Sequence, residues 1–304
     1  MTDVKQNKKK VLILGGTGFV GYYVIRALHE AGFKLGLMLH KKKDDINIPY
    51  DGYETFEGDI KKPQTLKKIM NEFKPDVVVH LVGIVREHPP NVTFEKIHVQ
   101  GTQNIVDVSK QAGVDKIIYI SALGADLEGP TKYYRSKAKA EQIIENSGLK
   151  YTILRPAIMF GWRSHFTNRI RFWAKILPFI PVIEKKGKKF HPLHAQTTGE
   201  IIARAAEGQG DNKTYELLGP EELSVYEVAK RIGKKMGSHK KVWPIPLLFA
   251  RIGAFLGSLG LPSPVTKAEL KMLLKGDDGN PTGMQNDFDV ENLPLDPMAD
   301  YAIY

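Results

Sequence analysis

Tyr133 and Lys137, a tyrosine and a lysine four positions apart, are the residues whose spacing best suits acid–base chemistry. At this spacing on a helix, both side chains lie on the same face. A lysine ammonium beside a phenol stabilises the phenolate and lowers the tyrosine pKa from about 10 towards neutrality. Tyr133 would then serve as general acid or base in hydride chemistry at a carbon that bears oxygen. A chance Tyr–Lys pair on a surface helix is the alternative, and Tyr134 lies one residue off this face.

Residues 11–21, VLILGGTGFVG, contain a glycine-rich turn with G-x-x-G-x-x-G spacing between a predicted strand and a predicted helix. Glycine permits the tight turn and a close approach of the backbone to a diphosphate, which the first N–H groups and the dipole of the helix then hold. We expect Gly21 to let this helix pack closely on the sheet. A turn with a purely structural role would use the same glycines. The predicted cofactor contacts in the turn are Gly15, Thr17, Gly18, Phe19, Val20 and Gly21.

The end of the second predicted strand bears on which dinucleotide would fit. An acidic residue there would hydrogen-bond the ribose 2′-hydroxyl of NAD, whereas cations suit the 2′-phosphate of NADP. The strand ends at Leu39 and is followed by His40 and Lys41–Lys43, so NADP is favoured over NAD, with His40 and Lys41 as predicted contacts. A solvated lysine run on a loop is the alternative, since Asp44 and Asp45 follow closely.

Short apolar runs alternate with helical patterns through the first half of the chain. The predicted strands are Val11–Leu14, Leu35–Leu39, Asp76–Val82, Lys116–Ser121 and Tyr151–Leu154. Such alternation predicts parallel β-α-β units, and strands that are apolar on both faces are typical of buried parallel sheets. We therefore predict an α/β fold, a Rossmann-type doubly wound parallel sheet whose ligand crevice lies at the carboxyl ends of the strands.

The second half is less regular and predicts a smaller C-terminal α/β lobe for a substrate or a partner. Residues 1–160 are assigned to the dinucleotide-binding domain and residues 161–304 to this lobe, which is interleaved with the sheet around 190–220. Its clearest helix is Ser224–Met236, because Ser224 and Glu227 form a capping-box pattern at its start.

Composition and charge limit the classes of function. The 304 residues include 44 Lys and Arg against 34 Asp and Glu, and this net charge of +10 favours anionic partners. The sequence has no cysteine, which excludes disulfides and thiolate sites. Its start has no secretory signal pattern, and Val242–Pro262 is interrupted by prolines and Arg251, so we expect a cytoplasmic protein without a membrane-spanning helix. We expect no nucleic-acid module, and no metal site from His191 and His194.

One stretch combines aromatic, aliphatic and basic residues. Its apolar residues recur at helical spacing, and Lys185–Lys189 contributes four further lysines. A helix that packs on the core with a solvated basic face is one interpretation. The other interpretation is that this stretch contacts an anionic membrane surface or a partner subunit. If Val242–Leu261 lies nearby, the two apolar segments would border a site for a lipid-like or quinone-like molecule. The stripe consists of Phe166, Ile170, Trp173 and Leu177.

Several motifs together resemble those of the short-chain dehydrogenase/reductase superfamily, in its extended and atypical branches, over about residues 10 to 235. The motifs are the glycine turn, Gly58-Asp59-Ile60, His80-Leu81-Val82-Gly83, the segments 98–104 and 120–125, the Tyr133/Lys137 pair and Leu154-Arg155-Pro156. The resemblance implies an NAD(P)-binding oxidoreductase, or a nucleoside-diphosphate-sugar epimerase-like enzyme, with Tyr133 and Lys137 as catalytic residues. It also implies further cofactor contacts, at Asp59, Ile60, Leu81, Val82, Gly83, Ser121, Tyr133, Lys137 and Pro156.

Within that superfamily, the sequence is most similar to relatives of the 39 kDa accessory subunit of respiratory complex I, through phrases such as SALGA over residues 121–125. Two positions depart from the family pattern. Leu123 stands where a catalytic Ser or Thr is usual and cannot donate a hydrogen bond, and His98 replaces the usual Asn. A non-catalytic NADPH-binding protein of a larger, membrane-associated respiratory assembly is therefore the alternative function. The small-molecule substrate and the oligomeric state are not predicted.

Overall fold

The computed structural model describes residues 8–40, 51–161, 163–183, 188–235, 240–258, 270 and 279–295. Its strands are β1 (Lys10–Leu14), β2 (Lys34–Leu39), β3 (Tyr53–Glu57), β4 (Val77–His80), β5 (Lys116–Ile120), β6 (Lys150–Pro156), β7 (Met159–Phe160), β8 (Ile180–Ile183), β9 (Leu193–His194), β10 (Lys213–Leu217) and β11 (Val242–Ile245). Its α-helices are α1 (Phe19–Glu30), α2 (Pro63–Phe73), α3 (Gly101–Ala112), α4 (Lys132–Glu145), α5 (His165–Ile176), α6 (Ala195–Glu207), α7 (Val225–Lys235), α8 (Leu247–Ser258) and α9 (Thr282–Asp287). A π-helical segment, Glu95–Gln100, leads directly into α3.

Seven strands form one sheet in the order β10-β6-β5-β4-β1-β2-β3. The neighbouring pairs from β6 to β3 are parallel, so the chain must cross over between them. β1 lies between β2 and β4, and the strand order reverses there. In a doubly wound sheet such a switch point opens a crevice at the carboxyl ends of the strands, here after Leu14 and His80. The predicted α/β, Rossmann-type fold is confirmed.

The central strands form because their residues are apolar on both faces. All of β4 and β5 is buried, and all of β1 after its first residue. One cluster joins Leu12, Val78 and Tyr119 of these strands to Phe73 of α2 and Ile105 of α3. Each fully buried aliphatic side chain in such a cluster stabilises the fold by about 1.5–3 kcal/mol.

Glycines and capping side chains set the helix ends. Gly32 and Gly113 follow α1 and α3 with φ of +81° and +71°, the left-handed conformation that ends a helix. The N–H of Ser224 donates to Glu227 Oε2 at 2.7 Å, and the N–H of Glu227 donates to Ser224 Oγ at 3.1 Å. The predicted capping box is therefore confirmed, and α7 begins at the next residue, Val225.

The chain folds into two compact units. The first comprises residues 1–155, 198–215 and 282–290, and the second comprises residues 156–197, 216–281 and 291–304. The first unit holds β1 to β5 and most of β6 and β10. The polypeptide thus leaves it after Arg155 and returns to it twice.

The second unit is built on short parallel strand pairs, β8 with β11 and β7 with β9. Helices α5 and α7 pack on β8. Of the predicted stripe, Ile170 is buried, Trp173 and Leu177 are half-buried, and the side chain of Phe166 lies outside the described residues. Phe172 and Ile176, which are not part of the stripe, are exposed on α5. Over the described part of the chain, every helix is too short or too polar to cross a bilayer.

Candidate cofactor and active site

The turn between β1 and α1 has the geometry of an anion-binding loop. Gly15 has a φ of +88°, and a Cβ there would lie 3.0 Å from the backbone N of Val82. The N–H of Gly18 donates to the carbonyl of Gly15 at 3.1 Å and closes the turn. Gly18 then caps α1 without a side-chain hydrogen bond, and the first turn of the helix has no acidic residue. The first N–H groups and the helix dipole are therefore suited to a diphosphate.

Gly21 has a different role from the expected one. A Cβ at Gly21 would lie 2.2 Å from the carbonyl oxygen of Gly16, so the close packing is with the turn itself rather than with a strand. The reason is that α1 begins so soon after the turn that its first residues lie against the turn's backbone. Between Gly16 and Gly21, Thr17 is exposed, and Phe19 and Val20 are half-buried.

A second loop of the crevice follows β3. The Asp59 carboxylate accepts a hydrogen bond from the N–H of Lys61 at 2.9 Å. The side-chain amide of Asn104 on α3 donates to the carbonyl of Ile60 at 2.8 Å, and a Cβ at Gly101 would lie 2.6 Å from Ile60 Cδ1. The chain 58–60 is thus held tightly against α3. Contacts of Asp59 and Ile60 with a nucleotide stay a prediction.

Helix α4 carries the predicted catalytic pair. Thr131 caps the helix by accepting a hydrogen bond from the N–H of Tyr134, so Tyr133 and Lys137 lie in its first two turns. Both side chains are buried. Lys137 Nζ donates to the carbonyl of Ile120 at 2.8 Å and to Tyr119 Oη at 3.2 Å, which holds the ammonium at the end of β5.

Burial changes the acidity of both members of the pair. It lowers the pKa of Lys137 to about 7, and the charge of Glu141 opposes this shift. It raises the pKa of Tyr133, and the nearby Tyr134 phenol raises it further. The expected lowering of the Tyr133 pKa is therefore wrong for this structure. The reason is that burial disfavours the charged phenolate, and the Lys137 amine is directed to Ile120 and Tyr119 instead.

His98 joins the loop after β4 to the catalytic helix. The N–H of Ile84 donates to His98 Nε2 at 3.0 Å, so the proton of the neutral ring is on Nδ1. His98 Nδ1 then donates to Ser136 Oγ at 2.8 Å, and Ser136 donates to the carbonyl of Tyr133 at 2.8 Å. His98 lies in the π-helical segment, an irregularity that is frequent at functional sites.

His80 and Tyr119 are further buried residues that the sequence analysis did not assign a role. His80 Nε2 lies 3.0 Å from Thr102 Oγ1, and its ring centroid lies 5.0 Å from that of Tyr119. Tyr119 faces Lys137, and burial raises its pKa well above the usual value. Both lie in buried strands made mostly of Val and Ile, so the sequence pattern indicates core positions and no chemical role.

The carboxyl edge of the sheet holds the remaining predicted contacts. Leu81 and Val82 are half-buried there, and a Cβ at Gly83 would lie 3.4 Å from Lys137 Nζ and 3.5 Å from His98 Nε2. Ser121 is buried, and its Oγ has no hydrogen-bond partner among the described residues. A buried hydroxyl of this kind is usually satisfied, so a ligand hydroxyl would fit here. These features suit a nicotinamide dinucleotide.

Three further predicted contacts are His40, Lys41 and Pro156. His40 is exposed at the end of β2, and Lys41 lies outside the described residues, as do Lys42 and Lys43. Pro156 is the buried last residue of β6. Within the described ranges, no group of three or more His, Asp or Glu side chains could hold a metal ion.

The two buried histidines predict a dependence of stability on pH. Burial and the charge of Lys137 lower the pKa of His80 to about 3 and that of His98 to about 2. Both stay neutral in the fold, whereas in the unfolded chain they take up protons below about pH 6.5. The unfolded state therefore binds more protons, and the free energy of unfolding falls as the pH falls, by up to about 1.4 kcal/mol per pH unit and histidine.

Urea unfolding at about pH 7, 6 and 5 would measure this slope above the range where most carboxylates titrate. His98→Asn removes one of the two groups and is expected to make the dependence of the free energy of unfolding on pH shallower by up to one proton. A free energy of unfolding that is constant between about pH 7 and 5 would contradict the neutral state of both rings.

Comparison with known proteins identifies the class of cofactor. Residues 15–167 match a protein family described as NAD(P)H-binding. The chain is 29% identical to NADH dehydrogenase [ubiquinone] 1 alpha subcomplex subunit 9 of Arabidopsis thaliana over 72% of its own length and 56% of that protein. It is 23% identical to the NADH-ubiquinone oxidoreductase 40 kDa subunit of Neurospora crassa over 77% of its length and 62% of that protein. The chain thus spans only 56% to 62% of these two mitochondrial relatives.

Other relatives match over nearly their whole length. The chain is 24% identical to the NAD(P)H azoreductase of Xenophilus azovorans over 85% of its length and 84% of that protein. The chain also matches the crystal structure of gox2253 at 25% identity and a TM-score of 0.72, and the match covers 96% of each of the two chains. The Bordetella bronchiseptica enzyme WbmH in complex with NAD+ covers 94% of both chains at 17% identity and a TM-score of 0.71, which supports the fold.

The resemblance stated from the sequence motifs is confirmed by these matches. The family match begins at Gly15 of the glycine turn, runs through Tyr133 and Lys137, and covers half of the chain. The matched residues include β2 to β6 of the seven-stranded sheet and the turn that follows β1. This chain belongs to the NAD(P)H-binding family of atypical short-chain dehydrogenase/reductase proteins.

Proposed function

We propose that the protein is an NADPH-dependent oxidoreductase that reduces a carbonyl group of a small molecule. The observation that carries this proposal is the position of Lys137 Nζ, which is held by Ile120 at the carboxyl edge of the sheet, next to Gly83. Tyr133 lies one helical turn earlier on the same face of α4. A nicotinamide held over that edge would lie beside the Lys137 amine, with the Tyr133 side chain one helical turn away on α4.

The chain's own residues have separate roles in this proposal. The N–H groups at the start of α1 bind the diphosphate, and Lys137 and Ser121 hold the nicotinamide ribose through their ammonium and hydroxyl groups. The chemistry that NADPH would supply when bound there is a hydride for the carbonyl carbon, which leaves NADP+. Tyr133 Oη donates its proton to the carbonyl oxygen, which completes the alcohol. His98 is a positioning residue, because it acts through Ser136 and the backbone of Tyr133.

The acidity of Tyr133 favours the reductive direction. A tyrosine whose pKa is raised by burial keeps its proton at neutral pH and is ready to donate it. Oxidation of an alcohol would need the phenolate, which burial disfavours. Epimerase-like chemistry needs both directions in turn, so the buried neutral phenol supports it less well.

The preference for NADP rests on the cations after β2. Replacement of Lys41, Lys42 and Lys43 together with serine is expected to weaken NADPH binding at least about tenfold, because each charge-assisted contact to the 2′-phosphate contributes about 1.5–3 kcal/mol. NADH binding should change little, since NADH lacks that phosphate. Fluorescence titration with each nucleotide would measure the ratio of the dissociation constants for NADH and NADPH in the wild type and in the variant.

The control for this experiment removes exposed lysines elsewhere in the first unit. Lys67→Ser on α2 with Lys110→Ser on α3 lowers the net charge at two exposed positions outside the predicted 2′-phosphate contacts. Both nucleotides should then bind as in the wild type, apart from a small non-specific electrostatic effect. Tighter binding of NADH than NADPH by the wild type would contradict the preference.

A specific observation favours a second function, a non-catalytic NADPH-binding protein of a larger assembly. Leu123 is half-buried where the family pattern has a hydrogen-bonding Ser or Thr, so a substrate carbonyl would lack one donor. Cofactor binding would be unaffected by this change. The mitochondrial relatives, which are named as subunits of a respiratory complex, are consistent with such a role in an assembly.

The two functions differ in turnover. NADPH oxidation would be followed with aldehydes, ketones, quinones and sugar nucleotides, alongside calorimetric titration of NADPH. Substrate-dependent oxidation supports the enzyme. Tight NADPH binding without turnover across the panel supports the non-catalytic function, and failure of both NADPH and NADH to bind would contradict both.

A further inference from the structure

The positive charge of this protein is concentrated in two segments, residues 163–189 and 240–258. Together they contain eleven lysines and arginines and a single acidic residue, Glu184. This surplus of ten equals the net charge of the whole chain, so the remaining residues are balanced. Both segments belong to the second unit. The charge therefore lies outside the nucleotide-binding residues of the first unit and needs another explanation.

The same two segments carry most of the exposed large apolar side chains. Among the described residues, nine large hydrophobic side chains are exposed, and seven of them lie in these segments. Single exposed apolar residues are ordinary, but a concentration of them marks a contact surface. The seven are Phe172, Ile176, Trp243, Leu248, Phe249, Ile252 and Phe255.

Helix α8 has two unlike faces. Ala250 and Ala254 are buried and belong to a small core cluster, so small residues face inward. Leu248, Ile252 and Phe255 recur at spacings of four and three and are exposed on the outer face, and Leu248 is 64% exposed. Arg251, also exposed, is the only charged residue of the helix. This is an amphipathic helix whose larger side chains are outside.

The exposed residues of α5 and β11 lie on connected elements. Lys240 Nζ donates to the carbonyl of Ala174 at 2.8 Å, which ties the chain before β11 to the end of α5. The ring of Trp243 on β11 lies 5.9 Å from that of Phe179, between centroids, and Trp243 is 59% exposed. β11 in turn ends two residues before α8 begins.

We propose that this basic apolar surface of the second unit binds the surface of an anionic lipid bilayer. Side chains such as Leu248, Phe249 and Trp243 would enter the boundary between headgroups and acyl chains, and exposed basic residues such as Lys175 and Arg251 would contact the lipid phosphates. Apolar burial and electrostatic attraction act together, because each alone gives weak, reversible membrane binding.

The composition favours a bilayer over other macromolecules. Lysine is depleted in protein–protein interfaces, whereas basic residues beside Leu, Phe and Trp are typical of helices that lie in a membrane interface. A second copy of this chain would bring two surfaces of the same charge together, which is unfavourable.

Vesicle sedimentation with the full-length chain tests the proposal. The protein should sediment with vesicles of phosphatidylcholine and phosphatidylglycerol at low salt but not with pure phosphatidylcholine. The fraction bound should fall with added salt, because the screening length is only about 10 Å at 0.1 M. Trp243 fluorescence should shift to the blue with the anionic vesicles, and Trp243→Phe should remove most of that shift.

Two variants separate the apolar and charged contributions. Leu248→Ser with Phe249→Ser is expected to weaken binding at least about tenfold, since both side chains would otherwise leave water. Lys175→Glu with Arg251→Glu should weaken vesicle binding about 30-fold, because each basic residue near an anionic surface adds to the binding free energy. Leu127→Ser, an exposed apolar residue of the first unit, is the matched control and should bind as the wild type does.

Circular dichroism and thermal melts would confirm that each variant is folded. The proposal is overturned if the wild type does not bind anionic vesicles at low salt, or if neither double variant weakens binding. It is also overturned if sedimentation equilibrium finds a dimer that Leu248→Ser with Phe249→Ser dissociates. None of these three measurements depends on NADPH binding or turnover, so the proposed function is tested separately.

Discussion

Replacement of Tyr133 with phenylalanine is expected to lower NADPH-dependent turnover by about 100- to 10,000-fold, the usual contribution of a general acid. The variant keeps the ring and its edge contacts with His98, Phe94 and Tyr134, and loses only the hydroxyl that donates the proton. NADPH affinity should stay within about threefold of the wild type, because the diphosphate site is on α1. Steady-state kinetics and calorimetric titration would measure the two effects.

The adjacent tyrosine provides the control. Tyr134 is also buried on α4, but it lies about 100° around the helix from Tyr133. Tyr134→Phe should therefore keep most of the turnover. Thermal melting would show that the variant is folded. Equal turnover of wild type and Tyr133→Phe would contradict the role of Tyr133 as proton donor.

The second large effect is expected from Gly21→Ala. A Cβ at this position would lie 2.2 Å from the carbonyl oxygen of Gly16, and a backbone atom cannot move aside as a side-chain rotamer can. The substitution must therefore displace the turn or the start of α1, at a cost of about 3 kcal/mol in the free energy of unfolding. The N–H groups that hold the diphosphate move with it, and NADPH binding should weaken about 100-fold, or about 2.7 kcal/mol.

The other end of the same helix provides a matched control. Gly32 has a φ of +81°, and the nearest atom to an added Cβ would be Lys8 Nζ at 4.0 Å. Gly32→Ala therefore has backbone strain of about 1–2 kcal/mol but no steric clash, and NADPH should bind as in the wild type. Denaturant unfolding and nucleotide titration would compare the two variants. Unchanged NADPH affinity in Gly21→Ala would contradict the proposed diphosphate site.

Local patterns predict the parts of this protein that depend on neighbouring residues. The glycine turn, the helix ends at Gly32 and Gly113, and the capping box of Ser224 and Glu227 each involve residues close in sequence. The same is true of the spacing of Tyr133 and Lys137, which places both on one face of α4. These features could be predicted because backbone conformation and helical periodicity depend on short segments.

The partners of those residues could not be predicted in the same way. Lys137 contacts Tyr119 and Ile120, which lie 18 and 17 positions earlier in the chain, and His98 reaches Ser136 across 38 positions. The direction of the Tyr133 pKa shift also depends on how deeply the ring is buried. Sequence spacing alone favoured a lowered pKa, whereas burial raises it.

The sequence by itself therefore determined the Rossmann-type fold, the dinucleotide turn and the candidate Tyr–Lys pair, since all three are encoded in short-range periodicity and glycine placement. Only the tertiary structure decided which charges and hydrogen bonds meet at the crevice, and which apolar residues of α5, β11 and α8 stay exposed. Contacts between distant segments, and the desolvation of ionisable groups, arise when separate elements pack together. For that reason, they become defined only in the folded chain.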